Sequence, residues 1–250
     1  LTKKKVVYDF RQNDLKNGGQ GAPLTPIFHK MLDNQFNLRP IIFVNIGGII
    51  NVTTIFETDN FLATDIGPGM CLIDKWIRIN SEKKYDVNGS IARSGKIDIT
   101  LNYALENFFH SENYDKKNTY IKSFDTNDFD ISFVRGLSFE DGAATLTEYT
   151  VQIILRYFFY VTKITQKSGN YNVPIILCGG GRKNNFLVER IKKNKISVKL
   201  IDDLGIDGDF VESQAFAYLA IRSYLKLPIS FPETTGCEKP CIGGIIVKNF

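Results

Sequence analysis

Ile41-Ile42-Phe43-Val44-Asn45-Ile46-Gly47-Gly48-Ile49-Ile50-Asn51-Val52-Thr53-Thr54-Ile55-Phe56 is the stretch on which the fold turns. Ile41 to Asn45 is an apolar run of strand length, Gly47-Gly48 breaks it, and Ile49 to Phe56 resumes it. Two β-rich runs around paired glycines predict a hairpin. Thr58-Asp59-Asn60 is the next turn, and Phe61 to Thr64 a third short strand that ends at Asp65. Ile66-Gly67-Pro68-Gly69 is expected to lie outside any regular element, because Pro68 drives Gly67 away from the α region. Met70 to Asn80 then fits a helix, with Leu72, Ile73, Trp76 and Ile77 on one face.

Downstream, Asp98 to His110 reads as an amphipathic helix and Ser111 to Asp130 as a polar, aromatic loop. Ser138-Phe139-Glu140-Asp141 has the acidic first turn that suits a helix dipole, and a helix is expected over Gly142 to Lys167. Pro174 to Cys178 is a buried-type strand ending on Gly179-Gly180-Gly181. A helix over Asn184 to Lys193, a strand over Lys199 to Asp202 and a helix over Val211 to Tyr224 follow. Upstream, Lys5 to Phe10 is a strand candidate, Gly18 to Pro23 a glycine-rich loop, and Pro26 to Asp33 a short helix opened by proline. Strands alternating with helices over the second half indicate an α/β fold with a partly parallel sheet. The leading hairpin argues against a simple doubly wound sheet and suits a ribonuclease-H-like fold.

The chain has 250 residues, 43% of them hydrophobic and 23% charged, enough for a real core and unlike a disordered chain. Its net charge of +4 is spread out. The dense basic runs, Lys3 to Lys5 and Lys192-Lys193-Asn194-Lys195, read as solvated faces, so no nucleic-acid partner is expected. No signal peptide is read at the start, and no apolar run approaches the roughly twenty residues that span a bilayer, so no membrane partner is expected. Leu1 in place of methionine points to processing, truncation or an unusual start codon. Cys71 and Cys178 sit in apolar runs as buried thiols. Cys237-x-x-x-Cys241 has the look of half a metal site, but no second Cys/His pair accompanies it, and no metal site is expected. The cysteine usage suits a reducing, cytoplasmic compartment.

Three glycine-punctuated loops each follow a strand candidate: Asn45-Ile46-Gly47-Gly48, Asp65 to Gly69, and Cys178 to Gly181. Such loops bring backbone N–H groups against phosphate oxygens and point to a nucleotide or phosphosugar site. Asp65, at a strand end before a stiff loop, reads either as a turn aspartate or as a base. Asp74 reads as a support for that loop or as part of a polar face. Glu212, in a first helical turn, reads as a dipole partner, and His29 as structural. Ser/His/Asp, G-x-x-x-x-G-K-[ST] and G-x-G-x-x-G patterns are absent.

These blocks follow, in order, the motifs of one family. Asp9-Phe10-Arg11, Asp14, Gly18-Gly19-Gln20-Gly21-Ala22-Pro23-Leu24, Pro26 and Phe28-His29 match DFR…D…GGQGAPL.P.FH. Asn45-Ile46-Gly47-Gly48 with Asn51 matches N.GG..N, and Asp65-x-Gly67-Pro68-Gly69 with Leu72, Asp74 and Trp76 matches DxGPGN.L.D.W. Cys178-Gly179-Gly180-Gly181 with Asn184 matches CGGG..N, Glu212 with Ala215-Phe216-Ala217 the last helix block, and Thr235-Gly236 with Pro240 the tail. The chain resembles the anhydro-N-acetylmuramic acid kinases along nearly its whole length.

The resemblance implies a two-lobed fold of the actin-like sugar-kinase superfamily. It implies that ATP, with Mg2+, phosphorylates the 6-oxygen of 1,6-anhydro-N-acetylmuramic acid while water opens the anhydro bridge, in peptidoglycan recycling. By the same resemblance Asp65 is the base that activates the water, and Gly47, Gly48, Gly179, Gly180, Gly181 and Asn184 face the nucleotide. Gln20, Gly67, Gly69 and Glu212 would lie on the sugar side. The expected partners are the amino sugar and ATP, and a homodimer is left open. Met70 stands where the family has asparagine, and the family's opening G-x-M-S-G-T-S-x-D-G loop has no counterpart here. Residues 1–40 are therefore expected to be a remnant of the first lobe and 41–250 a largely complete second lobe, with an exposed apolar face where the missing strands would pack. A catalytically inactive kinase-like remnant is the alternative. A metal nuclease on the same fold would need an acidic cluster at strand ends, where Asp65 stands alone.

Overall fold

The computed structural model describes residues 5–111, 123–165 and 173–247. In chain order, β1 is Val6–Tyr8, α1 Gln12–Lys16, α2 Pro26–Phe36, β2 Ile41–Ile46, β3 Ile49–Ile55, β4 Phe61–Pro68, α3 Cys71–Asn80, α4 Ser90–Ser94 and α5 Thr100–His110. Then come α6 Phe139–Thr165, β5 Ile175–Cys178, α7 Asn185–Lys192, β6 Val198–Leu200, α8 Val211–Tyr224, α9 Pro232–Thr235 and β7 Ile245–Val247.

The hairpin pairs as its sequence predicts: Ile46 faces Ile50 and Ile41 faces Ile55 across antiparallel β2 and β3. The main sheet runs β4-β3-β2-β5-β6. Strand β3 is antiparallel to both of its neighbours, β4 and β2, whereas β2, β5 and β6 are parallel, so the sheet is mixed and the fold is α/β. Both of its faces are covered. Ile42, Val44 and Ile46 pack with α3, α6 and α7 in one core. Ile41 and Phe43 pack with Phe28 and Leu32 of α2 and with Val211 and Ala215 of α8 in another. A strand buried on both faces needs apolar side chains at every position, which is why β2 reads as a continuous run rather than an alternation.

The stretch expected to be irregular after Asp65 differs in the structure. Strand β4 continues to Pro68, pairing Gly67 with Ile50 and Pro68 with Ile49. A bulge between Ile50 and Asn51 absorbs the misfit, and β4 is an edge strand, where proline's missing N–H costs no ladder bond. Helix α2 runs three residues past Asp33 to Phe36. Helix α6 begins at Phe139 rather than Gly142, with Trp76 donating its indole N–H to the Phe139 carbonyl at 2.9 Å. Of the expected loop after Ser111, residues 112–122 lie outside the described residues, as do Lys3, Lys4 and the last two positions of the helix expected to reach Lys167.

The tail does more than its composition announces. Strand β7 pairs antiparallel with β1, joining Val6 to Val247 and Tyr8 to Ile245. Val6, Tyr8, Ile245 and Ile246 are exposed on this ribbon, and Tyr224 of α8, over which the Lys5 ammonium sits, is exposed beside it. Among the described residues no helix is long and apolar enough to cross a membrane.

Candidate active site

The site is built by register. Asp65 sits opposite Asn51, Asn51 opposite Asn45, and Asn45 opposite Cys178. Residues directly opposite one another in a sheet share a face, so these four side chains form one row across β4, β3, β2 and β5. Asn45 and Cys178 stand near the carboxyl ends of parallel strands, where open α/β sheets place their ligands. A cleft of about 510 Å³ is lined by all four, together with Arg11, His29, Gly179, Gly180 and Glu212.

Asp65 is the group in this row able to take a proton. Burial pushes its carboxyl up to about 6, against the lowering effect of the Phe124 backbone N–H, which donates to Oδ2 at 2.9 Å. A carboxyl with that affinity is ionised at neutral pH and still basic enough to accept a proton from a nucleophile. Cys178 is a poor competitor, because burial pushes its thiol up to about 12 and keeps it protonated.

His29 forms part of the wall. It is fully buried, stacks on Phe43 at 4.7 Å, and shares a 2.8 Å hydrogen bond between Nδ1 and the Thr53 hydroxyl. Burial lowers its pKa to about 4, so it is neutral at pH 7, as the structural reading expects. The unfolded chain binds a proton at His29 from about pH 6.5 downward and the native state does not. Stability is thus present in full above pH 6.5 and is lost as pH falls toward 4, by about 3 kcal/mol from this residue. Thermal melts of His29→Gln are expected to lack that acid-side slope, whatever their absolute midpoint.

The Gly179 loop is held from behind by Arg182. This nearly buried guanidinium donates to the Gly179 carbonyl at 3.0 Å, to Asp202 at 2.7 Å and to Asp209 at 2.8 Å. Gly179 itself has φ +76°, and a Cβ there would run into Asn45 and the Ile46 backbone. On the other side, the Gly69 N–H donates to the Gly48 carbonyl and the Met70 N–H to the Gly47 carbonyl, both at 2.8 Å. The loop after Asp65 is therefore tied to the hairpin turn.

A second cavity, of about 500 Å³, is lined by Gly47, Gly48, Met70, Asp74, Gly180, Lys183 and Asn184. Gly180 borders both spaces. Asn184 is 3% exposed and caps α7 by accepting from the Leu187 N–H, leaving Nδ2 without a partner. Oδ1 of Asp74 is also unpartnered, and burial raises that carboxyl above its ordinary value. Buried polar atoms without partners mark places where a ligand or water completes the bonding.

Of the residues expected at the site, Asp65, Gly179, Gly180 and Glu212 line the first cleft, and Gly47, Gly48, Gly180 and Asn184 the second. Four lie elsewhere. Gly67 packs against Phe108 and Ile153, Gly69 against the Gly47 carbonyl, and Gly181 against Ile46. Gln20 is exposed and donates its backbone N–H to the Thr235 carbonyl, while Ala22 to Thr25 of the same loop reach the cleft. Sequence reasoning gave no chemical part to Asn45, Asn51, Arg11 or Arg182. The two asparagines carried a signal: polar residues six apart in apolar strands, facing each other once the hairpin closes.

The family model described as "Anhydro-N-acetylmuramic acid kinase" matches residues 1–249. Curated proteins of that name are similar throughout. The chain is 50% identical to the one from Pelagibacter ubique over 257 aligned positions, covering 100% of this chain and 66% of the relative. It is 38% identical to the one from Brucella canis, covering 97% of this chain and 64% of the relative. The chain thus spans about two thirds of the length of these relatives. Among solved structures, the activator of the 2-hydroxyisocaproyl-CoA dehydratase from Clostridium difficile with bound ADPNP matches at a TM-score of 0.45 and 15% identity, over 75% of this chain and 63% of that one.

Proposed function

Since this chain belongs to the anhydro-N-acetylmuramic acid kinase family, we propose that it is the part of an ATP-dependent sugar kinase that carries the catalytic base and the nucleotide-facing loops. The reaction transfers the terminal phosphoryl group of ATP to the 6-oxygen of 1,6-anhydro-N-acetylmuramic acid as water attacks the anomeric carbon and opens the anhydro bridge. The product is N-acetylmuramic acid 6-phosphate, consistent with peptidoglycan recycling in the cytoplasm. The single observation that carries this reading is the half-buried Asp65 carboxylate, raised to about 6, in a cleft it shares with the Gly179-Gly180 loop.

Asp65 accepts the proton of the attacking water, and the Phe124 N–H fixes which of its oxygens is free to do so. Asn45 and Asn51, beside it in the row, orient polar groups of the sugar. Gly47, Gly48, Gly180 and Asn184 face the nucleotide, with the unpartnered Asn184 amide and Asp74 carboxylate offering a donor and an acceptor. Gly67, Gly69, Gly181 and Gln20 support these loops from behind rather than touching ligand. Magnesium fits the oxygen donors present: Glu212 lines the cleft with Asp65, whereas Asp209 is engaged by Arg182 and Lys183. When bound it offsets charge on the transferred phosphoryl group.

The order β4-β3-β2-β5-β6, an antiparallel trio continued by two parallel strands, supports the ribonuclease-H-like, actin-like reading. The opening of that sheet at Ile41 supports a boundary near residue 40 between first-lobe residues 1–40 and second-lobe residues 41–250. The pairing of β1 with β7 adds the last described strand to the first unit. The comparisons lend no support to a catalytically inactive remnant.

The test is turnover of ATP and the anhydro sugar in 18O-water, followed by phosphorus NMR and mass spectrometry. Sugar 6-phosphate with 18O at the anomeric position is expected, and its absence at high enzyme concentration would sink the reading. The substrate is an acid, and Arg11 lines the cleft with no ion pair among the described residues. Arg11→Ala is expected to raise KM for the sugar by roughly tenfold, about the worth of one charge-assisted hydrogen bond, with little change in kcat. Steady-state kinetics at fixed ATP would read the split.

A further inference from the structure

The fold brings a third ligand to the cysteine pair of the tail. Asp14, in α1, is 221 positions from Thr235, yet its Oδ1 accepts from the Thr235 hydroxyl at 2.6 Å. Oδ2 accepts from the Gly21 N–H at 2.7 Å. Cys237 and Cys241 follow directly, and one oxygen or sulfur from each of Asp14, Cys237 and Cys241 lies within 4.8 Å of the others. Asp14 is 1% exposed, Cys237 1% and Cys241 4%. Both thiols donate to the same acceptor, the Lys239 backbone carbonyl, at 3.2 and 3.0 Å. Two sulfurs and a carboxylate oxygen thus converge, with a carbonyl oxygen against both sulfurs. Spacing alone could not announce this, because Cys237-x-x-x-Cys241 has no partner pair nearby in the chain and its third member comes from the opposite end.

The chemistry of the cluster asks for a cation. A carboxylate and two ionisable thiols are buried together, and among the described residues no lysine, arginine or histidine forms an ion pair with Asp14. In a tetrahedral site with metal–sulfur bonds of about 2.3 Å and metal–oxygen bonds of about 2.1 Å, sulfur and oxygen ligands stand ~3.6 Å apart. The thiol-to-carbonyl separations are about half an ångström shorter, so a small outward movement accommodates an ion. Two thiolates with two oxygens is a soft-to-borderline set that suits zinc and disfavours magnesium or calcium.

We propose that Asp14, Cys237 and Cys241, with the Lys239 carbonyl, form a structural site for a zinc-type divalent cation that clips the Gly18–Leu24 loop to the C-terminal tail. Binding releases the two thiol protons to solvent and replaces two S–H hydrogen bonds by metal–sulfur bonds. None of its ligands lines the cleft of Asp65, but its loop continues into Ala22 to Thr25, which do. The site does not depend on the kinase reading and is tested without any turnover measurement.

The experiment uses the reduced, metal-stripped protein titrated with Co2+ alone. One equivalent is expected to give the near-ultraviolet sulfur-to-cobalt absorption and the visible bands of a tetrahedral ion, and one equivalent of Zn2+ to displace it and raise Tm. Cys237→Ser and Cys241→Ser, checked for folding by circular dichroism without metal, are each expected to lose about half of the near-ultraviolet band. Each should also weaken cobalt affinity by more than the roughly tenfold that loss of an outer-shell partner costs. Asp14→Asn should keep the sulfur band and weaken binding. Absence of a sulfur-to-cobalt band in the reduced protein, or a band of undiminished intensity in Cys237→Ser and Cys241→Ser alike, would overturn the proposal. So would a Cys237–Cys241 disulfide in protein purified without reductant whose reduced form takes no cobalt.

Discussion

Asp65→Asn is expected to lower sugar-phosphate formation by roughly 10²- to 10⁴-fold, the range that one positioned base contributes, while making the protein more stable at neutral pH. The two effects have one origin. Burial raises the native carboxyl to about 6 from 3.8. Between those values the native state keeps a proton that the unfolded chain has already lost, so stability falls as pH rises from about 4 to 6. At pH 7 the ionised carboxylate costs about 2 kcal/mol, allowing for its partial exposure. Asparagine keeps the shape and the bond from the Phe124 N–H but carries no charge. Denaturant melts at pH 7 and pH 4 should show the gain at pH 7 and its disappearance at pH 4. The same carboxyl should give kcat/KM an acid limb near pH 6, with activity rising as the base ionises. A variant that keeps its activity and is unchanged in stability at both pH values would argue that Asp65 is an ordinary exposed turn residue.

This slope opposes the one at His29. From about pH 4 to 6, loss of the Asp65 proton weakens the native state while release from the His29 penalty strengthens it. The wild-type melting profile should be comparatively flat there, with each single variant uncovering the other's slope.

Gly179→Ala is expected to destabilise the protein by about 3 kcal/mol or more and to abolish nucleotide binding with it. A methyl group at φ +76° is strained, and it would also displace Asn45 and the Ile46 backbone, which are held in the sheet. Its neighbour separates fold from ligand. Gly180 has no atom within 4 Å of the place an alanine methyl would take, and it borders both cavities. Gly180→Ala should therefore fold within about 0.5 kcal/mol of wild type and still weaken nucleotide binding. Calorimetric titration with a non-hydrolysable ATP analogue, beside denaturant melts, distinguishes the pair. Normal binding in Gly180→Ala would remove that loop from the nucleotide surface.

Much of the sheet was legible because β2 and β3 carry their pairing in local composition: apolar runs with Gly47-Gly48 between them place the partners within a few residues of one another. The length of β4 was not, because proline and two glycines suppress local strand propensity, and the pairing with β3 that overrides it depends on a bulge at Ile50 and Asn51. Asp65 was legible from its place at a strand end. The row in which it stands was not, since cross-strand register decides that Asn51 and Asn45 share its face. The glycines of the three strand-end loops read alike as ligand-facing, yet the structure divides them: Gly180 faces open space, while Gly67 and Gly181 make room for Phe108 and Ile46. Which of two neighbouring glycines meets a ligand is set by packing behind the loop, which local sequence does not record. The β1–β7 ribbon and the Asp14 cluster were hidden for the plainest reason, that their members come from opposite ends of the chain.

That closure of the two ends bears on how the protein is made. The ladder partner of β1, the Thr235 hydroxyl that donates to Asp14 and the Thr235 carbonyl that accepts from Gln20 all lie in residues 235–247, which leave the ribosome long after β1, Asp14 and Gln20. The hairpin and the long helix α6 can form while synthesis continues, since their contacts are local or already emerged. The first segment must wait, unpaired, through the translation of some two hundred residues. A chain arrested before residue 235 should yield a protected central sheet and a protease-sensitive amino-terminal segment, so the order of folding runs inside out from the order of synthesis.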